Sequence, residues 1–447
     1  MHRIKRFTFL AALIAIVFNS FYLETNAQDS ARILSLNEAI TATIQNNRAI
    51  QLATLDENIA AAKYKQTEAI YLPQLGVSYT AMNTNNPLNA FGFKLQQKII
   101  VQNDFNPALL NNPGATSDFT AKLELQQPII NMDLQYQRKA AAKQTEVYKY
   151  KTQRSKEYLT YEVQKAYLQL QLAYDAKILL EEALQTAQSV YKFTDDHYQQ
   201  GLIQKSDVLN ARVQVTTVET NLAKAKSNIG NASDYLSLLM ARPGGTIYTI
   251  EKSNTLTVFE NNIPARIDSS RPDFLAMQKA IEASSLMIIA NKKNYMPKLN
   301  AFASYQLNDK QPLGFGANAY VAGVQLTWNI FKGNSIKNSI ATQKLERNKM
   351  ESELNKQIEQ TQLELTKAYR DLGDAQFDIQ QQKAAIEQAK EALQILQNRY
   401  NQGLVNTTDV LMANTQYSQQ KFALAQAQFT ANLTKAYIQL LTTSTTK

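Results

Sequence analysis

The sequence predicts a mainly α-helical fold with a membrane β portion, built from duplicated long helical hairpins and four β-strands. Three observations predict this fold. Two long stretches contain no proline, at 129–242 and from 313 to the end. A fourteen-residue phrase around one glycine occurs twice, at 198–211 and again at 400–413. Four short segments change from a helical period to an alternation of apolar and polar residues.

The first 27 residues have the features of a secretory signal peptide. Basic residues at positions 3, 5 and 6 precede an apolar segment at 7–18, and Ala27 offers a small residue for cleavage. The apolar segment is shorter than the roughly 20 residues that a helix needs to cross a bilayer. We therefore expect an exported protein that begins at about residue 28. An N-terminal membrane anchor is the alternative.

The composition argues against several classes of functional site. The chain contains no cysteine, which excludes disulfides, thiolate metal ligands, cysteine nucleophiles and a lipidated N-terminal cysteine. One of the two histidines lies in the expected signal peptide, which leaves His197. We therefore expect no enzyme activity, no metal site and no cofactor. The formal net charge of +9 fits mixed, solvated helix faces better than nucleic-acid binding.

The two proline-free stretches are predicted to be long helices, each reversed once at a glycine. They are rich in Ala, Gln, Lys, Glu and Leu, which favour helix. The repeated phrases, YQQGLIQKSDVLNA and YNQGLVNTTDVLMA, place Gly201 and Gly403 at the reversals. Glycine commonly ends a helix in a left-handed conformation. Each glycine is therefore predicted to form the tip of a helical hairpin.

A sustained 3–4 spacing after each glycine predicts coiled-coil packing. All ten positions of the first series are apolar, namely Val208, Ala211, Val215, Val218, Leu222, Ala225, Ile229, Ala232, Leu236 and Leu239. Eight of ten are apolar in the second series, namely Val410, Ala413, Tyr417, Gln420, Leu424, Ala427, Ala431, Thr434, Ile438 and Leu441.

The order of segments is repeated, which predicts an internal duplication. Tyr-Leu-Pro at 71–73 recurs as Tyr-Met-Pro at 295–297. Each half is predicted to contain a medium helix, two strands and a long helical hairpin. The expected divisions are a signal peptide at 1–27, a first repeat at 28–242, a connecting segment at 243–269 and a second repeat at 270–447.

Helix-start signals open both repeats. Ser35 and Glu38 have the spacing of a capping box, before a helix predicted to run to about residue 71. Pro272 lies in the first turn of the corresponding helix in the second repeat. The two medium helices are therefore predicted to begin at equivalent points.

Four alternating segments of about ten residues are predicted to be strands. Such segments are typical of membrane strands and of half-buried soluble strands alike. Four strands are too few to close a membrane barrel, so strands that cross a membrane would have to come from several chains. Trp328 and Phe331 could line a membrane interface or be ordinary packing aromatics. The segments are about 72–82, 118–130, 297–308 and 318–331, and an Asn- and Pro-rich, turn-rich loop is expected at 83–117.

The duplicated plan, the paired glycine phrases and the segment LQQPII at 125–130 together resemble the TolC-type outer-membrane factor family. The resemblance covers almost the whole mature chain. It implies a homotrimer whose twelve strands form one barrel in outer-membrane lipid, continued by a coiled-coil α-barrel across the periplasm of a Gram-negative bacterium. It also implies a passive duct for drugs, metal ions or secreted proteins, in a tripartite efflux or type I secretion system.

The resemblance also implies partners and site residues. The expected partners are a periplasmic adaptor and an inner-membrane transporter. Nucleic acid is not expected as a partner. The periplasmic entrance would contain Asp409, with Asp207 and Tyr400 at positions of a polar latch. The adaptor would dock on the hairpin tips, formed by Gly201, Leu202, Gly403 and Leu404.

Two positions depart from the family pattern at the entrance. Met412 stands where a second gate aspartate is expected, and Val405 stands where the latch has an arginine. These departures argue against the same salt-bridge latch and the same double acidic ring. An acid in the first turn of a helix is also favoured by the helix dipole, so Asp207 and Asp409 could simply stabilise helix starts.

Two other functions remain as alternatives at this point. A soluble periplasmic coiled-coil scaffold or adaptor would share the helices, but an adaptor would normally have one hairpin flanked by two halves of a lipoyl-like domain. A secreted enzyme is disfavoured, because no carboxylate pair or phosphate-binding loop stands out.

Overall fold

A computed structural model describes residues 32–250 and 267–443 of the 447-residue chain. The expected signal peptide and part of the expected connecting segment, at 251–266, lie outside the described residues. The chain divides into two compact units, and each is built from three separate pieces of sequence. Among the described residues, no helix combines the length and the apolar character that crossing a membrane requires.

The described residues are mostly helical. The helices are α1 Leu36–Asn46, α2 Arg48–Gln66, α3 Pro87–Gln96, α4 Pro107–Asn111, α5 Met132–Gln199, α6 Lys205–Leu239, α7 Pro272–Lys293, α8 Ser335–Asn401 and α9 Thr407–Thr442. The strands are β1 Arg32–Leu34, β2 Gln74–Thr84, β3 Thr116–Ile130, β4 Tyr248–Ile250, β5 Lys298–Asp309 and β6 Ala317–Thr327. The long helices α5 and α8 contain 68 and 67 residues, and each runs uninterrupted to a hairpin tip.

The first medium helix begins as its capping-box spacing predicts, but it ends early. The Oγ atom of Ser35 accepts a hydrogen bond from the backbone N–H of Glu38 at 3.2 Å. The prediction of one helix to about residue 71 was wrong, because Asn47 takes an extended backbone conformation between α1 and α2. The Asn47 side chain donates to the carbonyl oxygen of Leu239 at 2.7 Å. The break between α1 and α2 therefore coincides with a contact between two residues that are far apart in sequence.

The first unit contains residues 32–47, 158–250 and 368–440 of the described chain. In it, α6 packs through the apolar series predicted for it. Val215 and Ala232 are half-buried, and the other eight positions of the series are buried. Leu236 also belongs to a core cluster that includes Val163 and Leu170 of α5. The predicted coiled-coil face is thus the face that α6 buries.

The second unit contains residues 48–157, 267–367 and 441–443 of the described chain. Its four strands form one antiparallel sheet in the order β2-β3-β5-β6. Because β3 pairs with β5, strands from the two sequence repeats meet at the centre of the sheet. In the described residues β2 and β6 each pair with one strand only.

The sheet has the two chemically different faces that the alternation predicts. Along β3, Lys122 and Glu124 share one face, whereas Leu123 and Leu125 share the other. The apolar face is open in the single chain: Val77 on β2 is 78% exposed and Val324 on β6 is 63% exposed.

The segment between β2 and β3 is partly helical, which corrects the prediction of a turn-rich loop. Asn86 and Asn106 cap α3 and α4, and each helix begins with a proline. At the end of this segment the carboxylate of Asp118 is fully buried. It accepts hydrogen bonds from Gln97 Nε2 at 2.9 Å and from Thr120 Oγ1 at 2.5 Å. The bond from Gln97, the residue after α3, attaches the end of that helix to the sheet.

Candidate functional site: the hairpin tips and the entrance

The two hairpin tips are built in the same way. Gly201 and Gly403 have φ angles of +74° and +71°, in the left-handed region that favours glycine. The backbone N–H of Leu202 donates to the carbonyl oxygen of His197 at 3.0 Å, and that of Leu404 donates to Arg399 at 2.9 Å. This pattern ends α5 and α8 with the same type of glycine turn.

The turns expose the leucine that follows each glycine. Leu202 is 64% exposed and Leu404 is 62% exposed. The backbone N–H of each leucine is hydrogen-bonded, so the chain reversal places an apolar residue at each tip. The geometry offers two similar, exposed apolar contacts from one chain.

Tyr400 connects the two hairpins within the first unit. Its hydroxyl group lies 3.0 Å from Thr194 Oγ1 on α5 and 2.8 Å from Thr407 Oγ1 at the start of α9. Its ring lies against Phe193, with 4.8 Å between the ring centroids. Thr194 is fully buried, and it also donates to the carbonyl oxygen of Val190.

Sequence reasoning did not identify either threonine. Thr194 and Tyr400 are 206 residues apart, and no motif links them. Only the three-dimensional packing distinguishes Thr194 from the other threonines of the long helices. In the described residues no hydrogen bond joins Tyr400 to Asp207, although both are expected at positions of a polar latch.

The two aspartates occupy helix starts. The carboxylate of Asp409 accepts a hydrogen bond from the backbone N–H of Asn406 at 3.1 Å, and the N–H of Asp409 donates to the Asn406 carbonyl at 3.1 Å. This reciprocal arrangement stabilises the first turn of α9. Asp207 is the third residue of α6, where the helix dipole favours an acid. Asp409 remains exposed, and Asp207 is half-buried.

The two departures from the family pattern have different environments. Val405 packs against a buried cluster that includes Val190, Leu393 and Val410. It therefore contributes to apolar packing where an arginine would carry a charge. Met412 is 66% exposed on α9 and offers a flexible, uncharged side chain.

The described residues contain no group of three or more His, Cys, Asp or Glu side chains placed to hold a metal ion. The tips and the entrance are instead made of glycine turns, threonine and tyrosine hydroxyl groups, aspartates and apolar side chains.

Comparison with known protein families gives a match over most of the chain. The sequence profile of the outer membrane efflux protein family matches residues 39–242 and 263–444. The first segment begins after the predicted start of the first repeat, and the second begins before the predicted start of the second.

Two curated relatives from Escherichia coli K12 are similar in sequence. The cation efflux system protein CusC is 24% identical over 266 residues, which cover 58% of this chain and 53% of CusC. The chain therefore spans about half the length of that relative. The outer membrane protein TolC is 22% identical over 418 residues, which cover 86% of this chain and 77% of TolC.

A crystal structure of CusC is similar in fold. It superposes with a TM-score of 0.79 over 94% of this chain and 96% of that chain, at 18% sequence identity. Long helices with a small β component are therefore a fold that this chain shares with CusC.

Proposed function

This chain belongs to the outer membrane efflux protein family, and on that premise we propose that it is the channel subunit of a tripartite efflux or type I secretion system. In this proposal three copies form one tunnel, which carries substrates passively from the periplasm or an inner-membrane pump to the exterior. An inner-membrane transporter supplies the energy, and a periplasmic adaptor connects the two. The channel itself performs no enzymatic reaction.

The observation that carries the proposal is the incomplete sheet of the second unit. Its four strands have an apolar face and a polar face, and both outer strands lack a second neighbour in the described chain. Unpaired strand edges are not stable in lipid, so a membrane location requires other strands to complete the sheet. Three copies provide twelve strands, an ordinary number for an outer-membrane barrel.

The hairpin tips support a docking role. The exposed side chains of Leu202 and Leu404 give each chain two related apolar contacts, at the ends of long helices. We assign these two residues, with Gly201 and Gly403, to adaptor binding.

The entrance is assigned to Tyr400, Asp207, Asp409 and Met412. Three copies of the Asp409 carboxylate around one axis would repel one another. Because Val405 and Met412 carry no charge, we propose that closure uses hydroxyl hydrogen bonds and apolar contact in place of a salt-bridge latch.

Two measurements on the purified protein test the channel assignment. The proposal expects a trimer in detergent and discrete conductance steps in planar bilayers. A monomer without conductance contradicts it. Carbonate extraction of membranes distinguishes the channel from the main alternative. A soluble scaffold or adaptor is released by this treatment, whereas a membrane-inserted channel is retained.

A cysteine variant tests the docking role. The chain has no native cysteine, so Leu404→Cys places a single reactive thiol at a tip. Cross-linking in cells is expected to capture an adaptor protein, and the captured adaptor would indicate the type of pump. Leu238→Cys is the matched control, since Leu238 is 69% exposed on α6 but far along the helix from the tip. Equal capture by both variants argues against a specific role of the tip.

A further inference from the structure

A cavity of about 590 Å³ lies among α5, α6 and α9 in the first unit. One part of its wall is apolar, formed by residues that include Leu180, Val218 and Phe422. Another part is formed by neutral amide and hydroxyl groups, among them Gln214 and Asn414. All the residues that line the cavity are uncharged. The volume lies within the range of roughly 300–1,000 Å³ that is typical of small-molecule sites.

Asn414 gives the cavity a specific polar group. Its residue surface is only 4% exposed, and it lies in the wall of the cavity. In the part of the chain that the structure describes, its side chain makes no hydrogen bond, although the neighbouring Thr415 accepts one from Gln214 Nε2 at 3.2 Å. The amide atoms of Asn414 keep contact with solvent in the cavity, so a ligand that reaches them replaces a hydrogen bond to water with one of its own.

We propose that this cavity binds a neutral, amphipathic small molecule with an apolar body and at least one hydrogen-bonding group directed to Asn414. A charged ligand is disfavoured, because no charged side chain lines the cavity to offset its loss of hydration. The walls come from α5 and α6 of the first hairpin and from α9 of the second. A bound molecule therefore contacts both hairpins of one chain.

This proposal is independent of channel activity and can be tested by binding alone. The probe is N-phenyl-1-naphthylamine, a neutral molecule in which two aromatic groups flank one N–H donor. The full-length protein in lipid nanodiscs is titrated with the probe, and empty nanodiscs give the background from partition into lipid. A saturable fluorescence increase above that background is expected.

Two pairs of variants identify the site. Asn414→Ala removes one hydrogen bond and is expected to weaken binding about threefold to tenfold. Asn432→Ala, the same change at an equally buried position of α9 outside the cavity, is expected to leave it unchanged. Ala176→Phe fills the cavity and is expected to abolish saturable binding. Ala142→Phe, at a half-buried position of the same helix, is its control.

Each variant is first checked for wild-type helicity and thermal unfolding. A wild-type protein without saturable binding overturns the proposal. So does saturable binding that persists unchanged in both Asn414→Ala and Ala176→Phe, because the probe would then occupy another site. Neither result affects the conductance and extraction tests of the channel assignment.

Discussion

The hydroxyl group of Tyr400 lies 3.0 Å from Thr194 Oγ1, and this contact joins α8 to α5 next to the hairpin tips. The same hydroxyl group reaches Thr407 at 2.8 Å. One side chain therefore contacts both the first hairpin and the start of α9 next to the tips. Tyr198 occupies the equivalent position of the first repeat, and the described structure shows no side-chain hydrogen bond from it.

We expect Tyr400→Phe to loosen the tips. Loss of these hydrogen bonds removes about 0.5–1.5 kcal/mol each from the stability of the local structure. Hydrogen exchange of the backbone amides around residues 400–410 should accelerate accordingly. Tyr198→Phe is the matched control and should leave exchange at both tips unchanged. Similar acceleration by both variants would show that the hydroxyl contacts of Tyr400 have no special role.

Replacement of Gly403 by alanine should destabilise the protein through backbone strain. No atom lies within 4 Å of the added Cβ, so the cost of about 1 kcal/mol comes from the left-handed φ angle of +71°. Gly373 also has open space around it but lies inside α8. Gly373→Ala should stabilise the helix by about 0.5–1 kcal/mol. Thermal unfolding should therefore shift in opposite directions, and shifts of the same sign refute the interpretation.

The coiled-coil series predicts that the stability lost when a leucine of α6 is replaced by alanine depends strongly on the burial of that leucine. Leu222 is 8% exposed in the series of α6, whereas Leu238 on the same helix is 69% exposed. Leu222→Ala should cost about 2–5 kcal/mol because it leaves a cavity in the helix interface. Leu238→Ala should have little effect. Denaturant unfolding measures both, and comparable losses would mean that α6 buries a different face.

A group of ion pairs between α5 and α7 should make the stability of the protein depend on pH in the acid range. Glu282 receives hydrogen bonds from Lys279 at 2.9 Å and from Lys143 at 3.0 Å. The bond from Lys279 is the main cause that lowers the pKa of Glu282 below its ordinary value of 4.5, although partial burial opposes it. A lowered folded-state pKa contributes stability above pH 4.5, and this contribution is lost as the pH falls through the lowered pKa.

Glu282→Gln should therefore reduce the acid dependence of thermal unfolding below about pH 4.5. The effect should be small and should decrease with added salt, since the Glu282 side chain is 44% exposed. Glu359→Gln, on the exposed face of α8, is the control. An acid profile that is identical in wild type and Glu282→Gln contradicts the predicted linkage.

Much of the fold follows from local patterns in the sequence. The series from Val208 to Leu239 predicts the buried face of α6, because a helix can bury only one side of its surface against another helix. The alternation in β3 predicts its two faces for the corresponding reason in a strand. Gly201 and Gly403 mark the reversals, since few other residues adopt the left-handed conformation there.

Other features depend on contacts between distant residues and could not be read from local patterns. The helix break at Asn47 coincides with a hydrogen bond to Leu239, and the attachment of α3 to the sheet depends on buried Asp118. The candidate site also contains both kinds of feature, those that local patterns predict and those that depend on distant contacts. The turns and their exposed leucines were predictable, but the partners of Tyr400 were not.

The sequence by itself determined the duplication, the hairpins and their glycine tips, since these arise from residue preferences within a few turns of the chain. Only the tertiary structure decided that Tyr400 meets Thr194 and that Asn414 is left unpaired in a cavity wall. The physical reason is that a hydrogen bond requires two groups within about 3 Å, and helix packing, not sequence spacing, brings together residues some two hundred positions apart.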